Sequence, residues 1–108
     1  MAKIIDLLPE TCEDALELPG VTVLYFRAGW CGFCKTMGRI IDQTAAETPD
    51  SITFARCDVE TCPEFAARFE VTSIPRLVIF KDGKEMKRIN TSIGKTPLIQ
   101  ELEQLLKG

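Results

Sequence analysis

At 108 residues, 45% of them apolar, the chain suits one domain spanning 1–108 with a modest core. A formal net charge of −3 with scattered basic residues argues against a nucleic-acid surface. No apolar stretch approaches membrane-spanning length, and Ile4-Ile5 is far too short for a signal-peptide core, so the expectation is a cytoplasmic protein away from membranes.

Lys3 to Leu8 reads as a short edge strand stopped by Pro9. Glu10 to Leu18 reads as a short amphipathic helix with Cys12, Ala15, Leu16 and Leu18 turned inward, ended by Pro19-Gly20. Val21 to Ala28 is nearly all apolar, as a central strand covered on both faces should be. A helix from about Gly32 to Thr48 follows, stopped by Pro49-Asp50, and then a strand from Ser51 to Cys57. Cys62 to Phe69 forms a short helix with Pro63 in its first turn. Arg76 to Lys81 and Lys84 to Asn90 are strands joined by Asp82-Gly83, a strong two-residue hairpin signal. Lys95 to Lys107 closes the chain as an amphipathic helix with Leu98, Ile99, Leu102, Leu105 and Leu106 on one face. The order β-α-β-α-β-α-β-β-α predicts an α/β fold: a mixed sheet with helices on both faces.

The chemistry concentrates in Trp30-Cys31-Gly32-Phe33-Cys34. Two thiols separated by two residues can close a small disulfide and reopen it by exchange. The first sits where a strand hands over to a helix N-terminus, and free backbone N–H groups there favour a thiolate. A Cys-x2-Cys pair beside a βαβ pattern is a dithiol redox signature. Five cysteines leave at least one thiol free within a monomer, which suits a reducing compartment. The chain has no histidine, so no Cys–His pair is available and any zinc site would need cysteines or carboxylates. Cys31, Cys34, Cys57 and Cys62 could supply such a four-thiolate site. Otherwise Cys12, Cys57 and Cys62 read as small apolar residues, with a Cys57–Cys62 disulfide open if their Cα atoms lie within about 7 Å.

Three motifs together resemble the thioredoxin family along essentially the whole chain: Ala28-Gly29-Trp30-Cys31-Gly32-Phe33-Cys34-Lys35, Val71-Thr72-Ser73-Ile74-Pro75, and Phe80-Lys81-Asp82-Gly83-Lys84. The resemblance implies a thioredoxin fold and a disulfide oxidoreductase, most simply a protein-disulfide reductase. Its partners would be disulfide-containing proteins and a thioredoxin-reductase-like recycling enzyme. It would act as a monomer, with no cofactor beyond the Cys31–Cys34 couple and no metal. Cys31 would be the nucleophile and Cys34 the deeper, less exposed resolving thiol. Trp30, Gly32, Phe33, Ile74 and Pro75 would form the substrate surface, with a cis peptide before Pro75 bringing the Ile74 backbone beside Cys31.

The chain departs from the family where the second thiol is tuned. Phe33 stands in place of a proline, Tyr25 in place of a buried acid, Arg56 in place of that acid's lysine partner, Arg27 in place of an aromatic, and Arg39 in place of a helix-kinking proline. Tyr25 and Arg56 are therefore candidates for tuning the Cys34 thiol, against the plainer readings of a core aromatic and a solvent-directed arginine. An extra N–H at Phe33 would stabilise a Cys31 thiolate and make the couple more oxidising. Alternative activities are glutaredoxin-like exchange and a thioredoxin-fold adaptor.

Overall fold

The computed structural model describes residues 1–108 and contains one five-stranded sheet in the order β1-β3-β2-β4-β5. The strands are β1 (Lys3–Asp6), β2 (Val21–Arg27), β3 (Ile52–Asp58), β4 (Arg76–Lys81) and β5 (Lys84–Ile89). The helices are α1 (Gly32–Ala46), α2 (Pro63–Arg68) and α3 (Lys95–Lys107). β1 and β2 run parallel to β3, while β4 pairs antiparallel with both β2 and β5. β2 is central because Val21 to Phe26 are all buried, so this run finds cover on both faces of the sheet.

Alternation along the strands divides the core in two. One face collects Val21, Val23 and Tyr25 of β2 with Ile52 and Phe54 of β3, under Met37, Ile41 and Ala45 of α1 and Leu98 and Leu102 of α3. The other collects Leu24 and Phe26 of β2 with Ala55 and Cys57 of β3, under Cys12, Ala15, Cys62 and α2's Phe65 and Ala66. Phe26, Phe65, Phe69 and Phe80 make a chain of ring contacts on this second face, with Phe65 and Phe69 edge-on at 5.1 Å.

The hairpin forms as its residues dictate: Asp82 and Gly83 both have positive φ, at 48° and 83°, the twist that suits a two-residue turn between strands. Asp82 is also held from outside, its carboxylate accepting the Gly20 N–H at 2.8 Å. Gly20 itself has φ of 77°, and a Cβ there would lie 2.4 Å from the Ser51 carbonyl oxygen, so only glycine fits the entry to β2.

Some boundaries move. The segment expected as a helix over Glu10–Leu18 is a 3₁₀ helix over Cys12–Glu17 that buries Cys12 and Ala15 and leaves Leu18 half-exposed. Short connecting pieces of this length commonly take the tighter 3₁₀ form. α1 stops at Ala46, where the Glu47 N–H closes the last turn, two residues before the expected Thr48. Leu106 of α3 is exposed rather than inward, because the buried stripe runs through Leu98 and Leu102.

Candidate active site

β2 ends at Arg27, and the turn over Ala28–Trp30 delivers Cys31 to the N-cap of α1, with the Cys31 N–H bonded to the Ala28 carbonyl at 3.2 Å. At an N-cap the side chain faces the free N–H groups of the first turn. Here Cys31 Sγ accepts the Cys34 N–H at 3.2 Å. The donor is Cys34 and not Phe33, which corrects the expectation that Phe33's own N–H would serve the thiolate. The third residue of the helix, not the second, lies over the capping atom.

The two cysteines are free thiols that approach within 2.6 Å. Burial, then the neighbouring Cys31 thiol, pushes the Cys34 thiol up to about 11, while the Ala28 backbone and, more weakly, the Arg27 charge pull the other way. Cys34 is 2% exposed and Cys31 only 7%, so the expected difference in exposure is small. Cys31 is covered by the turn before β4: its thiol points at the Ile74 carbonyl, 4.0 Å away, and the Ile74–Pro75 peptide is cis as expected. Pro75 is buried and Ile74 half-buried beside it. Around this shielded sulfur stand the large exposed side chains of Trp30 (70%) and Phe33 (74%). Gly32 is exposed with open space beside its Cα. Five of the seven surface and thiol candidates thus come from one strand–helix junction, and Ile74 and Pro75 arrive from the far end of the sheet's second half.

Tyr25 lies directly beneath. It is fully buried, and its hydroxyl donates to the Cys34 carbonyl oxygen at 2.5 Å rather than to the thiol. Burial first, then the neighbouring Cys34, raises its ionisation far above that of a free phenol, so it is a fixed donor and no base. Arg56 is Tyr25's partner in the β2–β3 register, but its guanidinium is taken by Asp6, with bonds of 2.7 and 2.9 Å. Its placement as a charge aimed at the thiols is therefore corrected: β1 brings a carboxylate alongside that only the sheet order reveals. The cation on the thiol side is Arg27, paired with Asp58 at 3.2 Å across the same register. Neither was singled out as a site residue from sequence, although two opposite charges ending adjacent apolar strands are a readable signal.

The proposed four-thiolate arrangement does not assemble. Cys57 and Cys62 belong to the second-face core, while Cys31 and Cys34 stand at the start of α1 on the first. No group of three or more Cys, Asp or Glu side chains is gathered to hold a metal ion. No helix is long and apolar enough to cross a membrane.

A family model described as Thioredoxin matches residues 4–104. The thioredoxin of Mycobacterium tuberculosis is 40% identical over 93 residues, covering 86% of this chain and 80% of its own length. The bifunctional thioredoxin reductase/thioredoxin of Mycobacterium leprae is 36% identical over 93 residues, which make up 20% of that longer protein. Among solved structures, a mutant thioredoxin from Halobacterium salinarum is similar with a TM-score of 0.86 at 23% identity, covering 95% of this chain and 90% of its own, which shows a shared fold.

Proposed function

We infer the working mechanism from one premise: the chain belongs to the thioredoxin family and is a thiol–disulfide oxidoreductase. Net flow is reductive, toward protein disulfides. Cys31 attacks as the thiolate, forming a mixed disulfide while the substrate's other sulfur leaves and takes a proton. Cys34 then gives up its proton to water and attacks Cys31 Sγ. The second substrate thiol is released and a Cys31–Cys34 disulfide remains. Two electrons pass from the dithiol to the substrate.

One observation carries the division of labour: Cys31 Sγ receives the Cys34 N–H, while Cys34 is held protonated at about 11, chiefly by burial. The sulfur at the helix N-cap is the one placed to attack, and the buried one keeps its hydrogen. Trp30, Gly32 and Phe33 offer an exposed, partly apolar face to the substrate. Ile74 offers backbone groups to an extended segment laid across Cys31, and Pro75 shapes that edge. Tyr25 tunes the site by holding the Cys34 carbonyl in place. Arg56, engaged with Asp6, contributes only distant charge. The dithiol needs no further cofactor, and the protein works as a monomer in the cytoplasm, a reading supported by its odd cysteine number. Recycling falls to a thioredoxin-reductase-like enzyme, a pairing that the name of the Mycobacterium leprae relative joins in one chain.

The test is a trap. Cys34→Ser should accumulate a mixed disulfide with a substrate protein through Cys31, identified by non-reducing peptide mapping. Linkage through Cys12, Cys57 or Cys62 instead would overturn the assignment.

A further inference from the structure

Three thiols stand outside this mechanism, all in the second-face core: Cys57 with no exposed surface, Cys62 at 3% and Cys12 at 6%. The chain folds two of them together. After β3 the N–H groups of Thr61 and Cys62 both return to the Asp58 carbonyl, at 3.1 and 2.9 Å, and this tight turn lays Cys62 against the strand end that carries Cys57. Cys57 and Cys62 sit near enough in this core for each to shift the other's ionisation, and the Cys62 thiol points on to the Leu7 carbonyl at 3.8 Å. A cavity of about 470 Å³ opens onto Cys62 beside Thr61, Glu64 and Arg68, whereas Cys57 lies behind it and does not line the cavity. Cys12 lines the same cavity as Cys62, but its thiol is directed to the Pro9 carbonyl at 3.4 Å.

We propose that Cys57 and Cys62 form a second dithiol, separate from the Cys31–Cys34 couple, which a small peroxide oxidises to an intramolecular disulfide. Access selects the oxidant class. Cys62 opens onto the cavity, and hydrogen peroxide is scarcely larger than water and fits that space many times over. Cys62 is the attacking sulfur, because it faces the cavity and Cys57 does not. Its thiolate attacks one peroxide oxygen: an S–O bond forms, the O–O bond breaks, and the departing hydroxide takes a proton to leave as water. Cys57, as thiolate, then attacks the Cys62 sulfenic sulfur: the S–S bond forms, the S–O bond breaks, and the second oxygen leaves as water. Two thiols give up two electrons and two protons, and one peroxide becomes two waters.

Burial raises both thiols, Cys57 to about 12, so the pair reacts slowly near neutral pH and should respond to excess peroxide after Cys31–Cys34 has been oxidised.

The test uses the Cys31→Ser, Cys34→Ser double variant, reduced and then treated with excess hydrogen peroxide. Thiol titration should fall by two of the three remaining thiols, and mapping should find Cys57 joined to Cys62 in monomeric protein, reversed by dithiothreitol. The rate should rise about tenfold per pH unit between pH 7 and 9. Adding Cys57→Ala should leave a Cys62 sulfenic acid that dimedone traps. In wild type, where folding is not in question, four of five thiols should be lost in two steps. Unchanged thiol count under conditions that oxidise Cys31–Cys34, a Cys12–Cys62 link, intermolecular dimers, or direct over-oxidation of Cys62 would each overturn the proposal.

Discussion

The pairs Cys31–Cys34 and Cys57–Cys62 are built on one local plan on opposite faces of the sheet. In each, an inner thiol is more deeply buried than the outer one, and burial keeps it protonated, at about 11 for Cys34 and about 12 for Cys57. The surroundings differ. Cys31 lies between exposed Trp30 and Phe33 and against the Ile74 backbone, where an extended chain can lie. Cys62 belongs to the core that holds the phenylalanine cluster and lines a cavity. The lesson is that access, more than thiol chemistry, decides which pair meets a protein and which meets only a small molecule.

Breaking the two pairs in turn gives the largest contrast. Cys31→Ser should lower turnover of a protein disulfide by at least about 10³-fold, since no other sulfur can form the mixed disulfide. Cys57→Ala should stay within about threefold of wild type in the same assay, once folding is confirmed by circular dichroism. Equal losses would mean that the second pair belongs to the reductive cycle.

Limiting iodoacetamide sharpens the contrast within and between pairs. At pH 7 a thiol with a pKa of about 11 is ionised in roughly one molecule in 10⁴. Cys31 should therefore be alkylated well ahead of Cys34 and Cys57, and ahead of Cys62. Peptide mapping that finds Cys34 or Cys57 modified first would reverse the assignment of inner and outer sulfurs.

Alkaline stability compares the inner thiols directly. Both have folded-state values above the ordinary thiol value of 9.0, so the fold favours the protonated form. The unfolded chain releases these protons first. The contribution is fully present below about pH 9 and is lost as pH rises toward 11 for Cys34 and 12 for Cys57. Thermal melts should fall by several degrees between pH 8 and pH 10, roughly 1 kcal/mol or more being lost. Cys57→Ala should flatten part of that fall, and a pH-independent Tm over this range would contradict the burial argument.

Tyr25→Phe gives the smallest effect and tests the one feature the second pair lacks, a side chain pinning the inner cysteine's backbone. Losing the 2.5 Å bond to the Cys34 carbonyl should cost about 1 kcal/mol of stability. The resolving step should slow by severalfold, with Cys31 alkylation unchanged. Slower alkylation of Cys31 would mean that Tyr25 acts on the outer sulfur.

Most of the scaffold was legible because its signals are local. The fully apolar run from Val21 to Phe26 can only be a central strand, Asp82-Gly83 can adopt the positive φ that a tight hairpin needs, and α3 carries its stripe at helical spacing. The misses have a common cause. Nothing near Arg56 in the chain signals Asp6, and nothing near Tyr25 signals that its hydroxyl will meet a carbonyl rather than a sulfur. Leu106 shares α3's apolar composition, but the sheet it would cover lies under Leu98 and Leu102.

By itself the sequence determined the order of elements and the strand–helix junction that carries Cys31 and Cys34, because backbone preference and hydrophobic period act over a few residues, while the place of the proline turn was read from the family resemblance. Only the tertiary structure decided that Ile74, 43 residues away, would cover Cys31. The same folding put Arg56 on Asp6 and sorted Cys57 and Cys62 onto the face opposite the first pair. Those outcomes depend on strand order and register, which are set by long-range pairing. A shift of one residue in β3 would turn Cys57 and Arg56 to opposite faces without changing a letter of the local pattern.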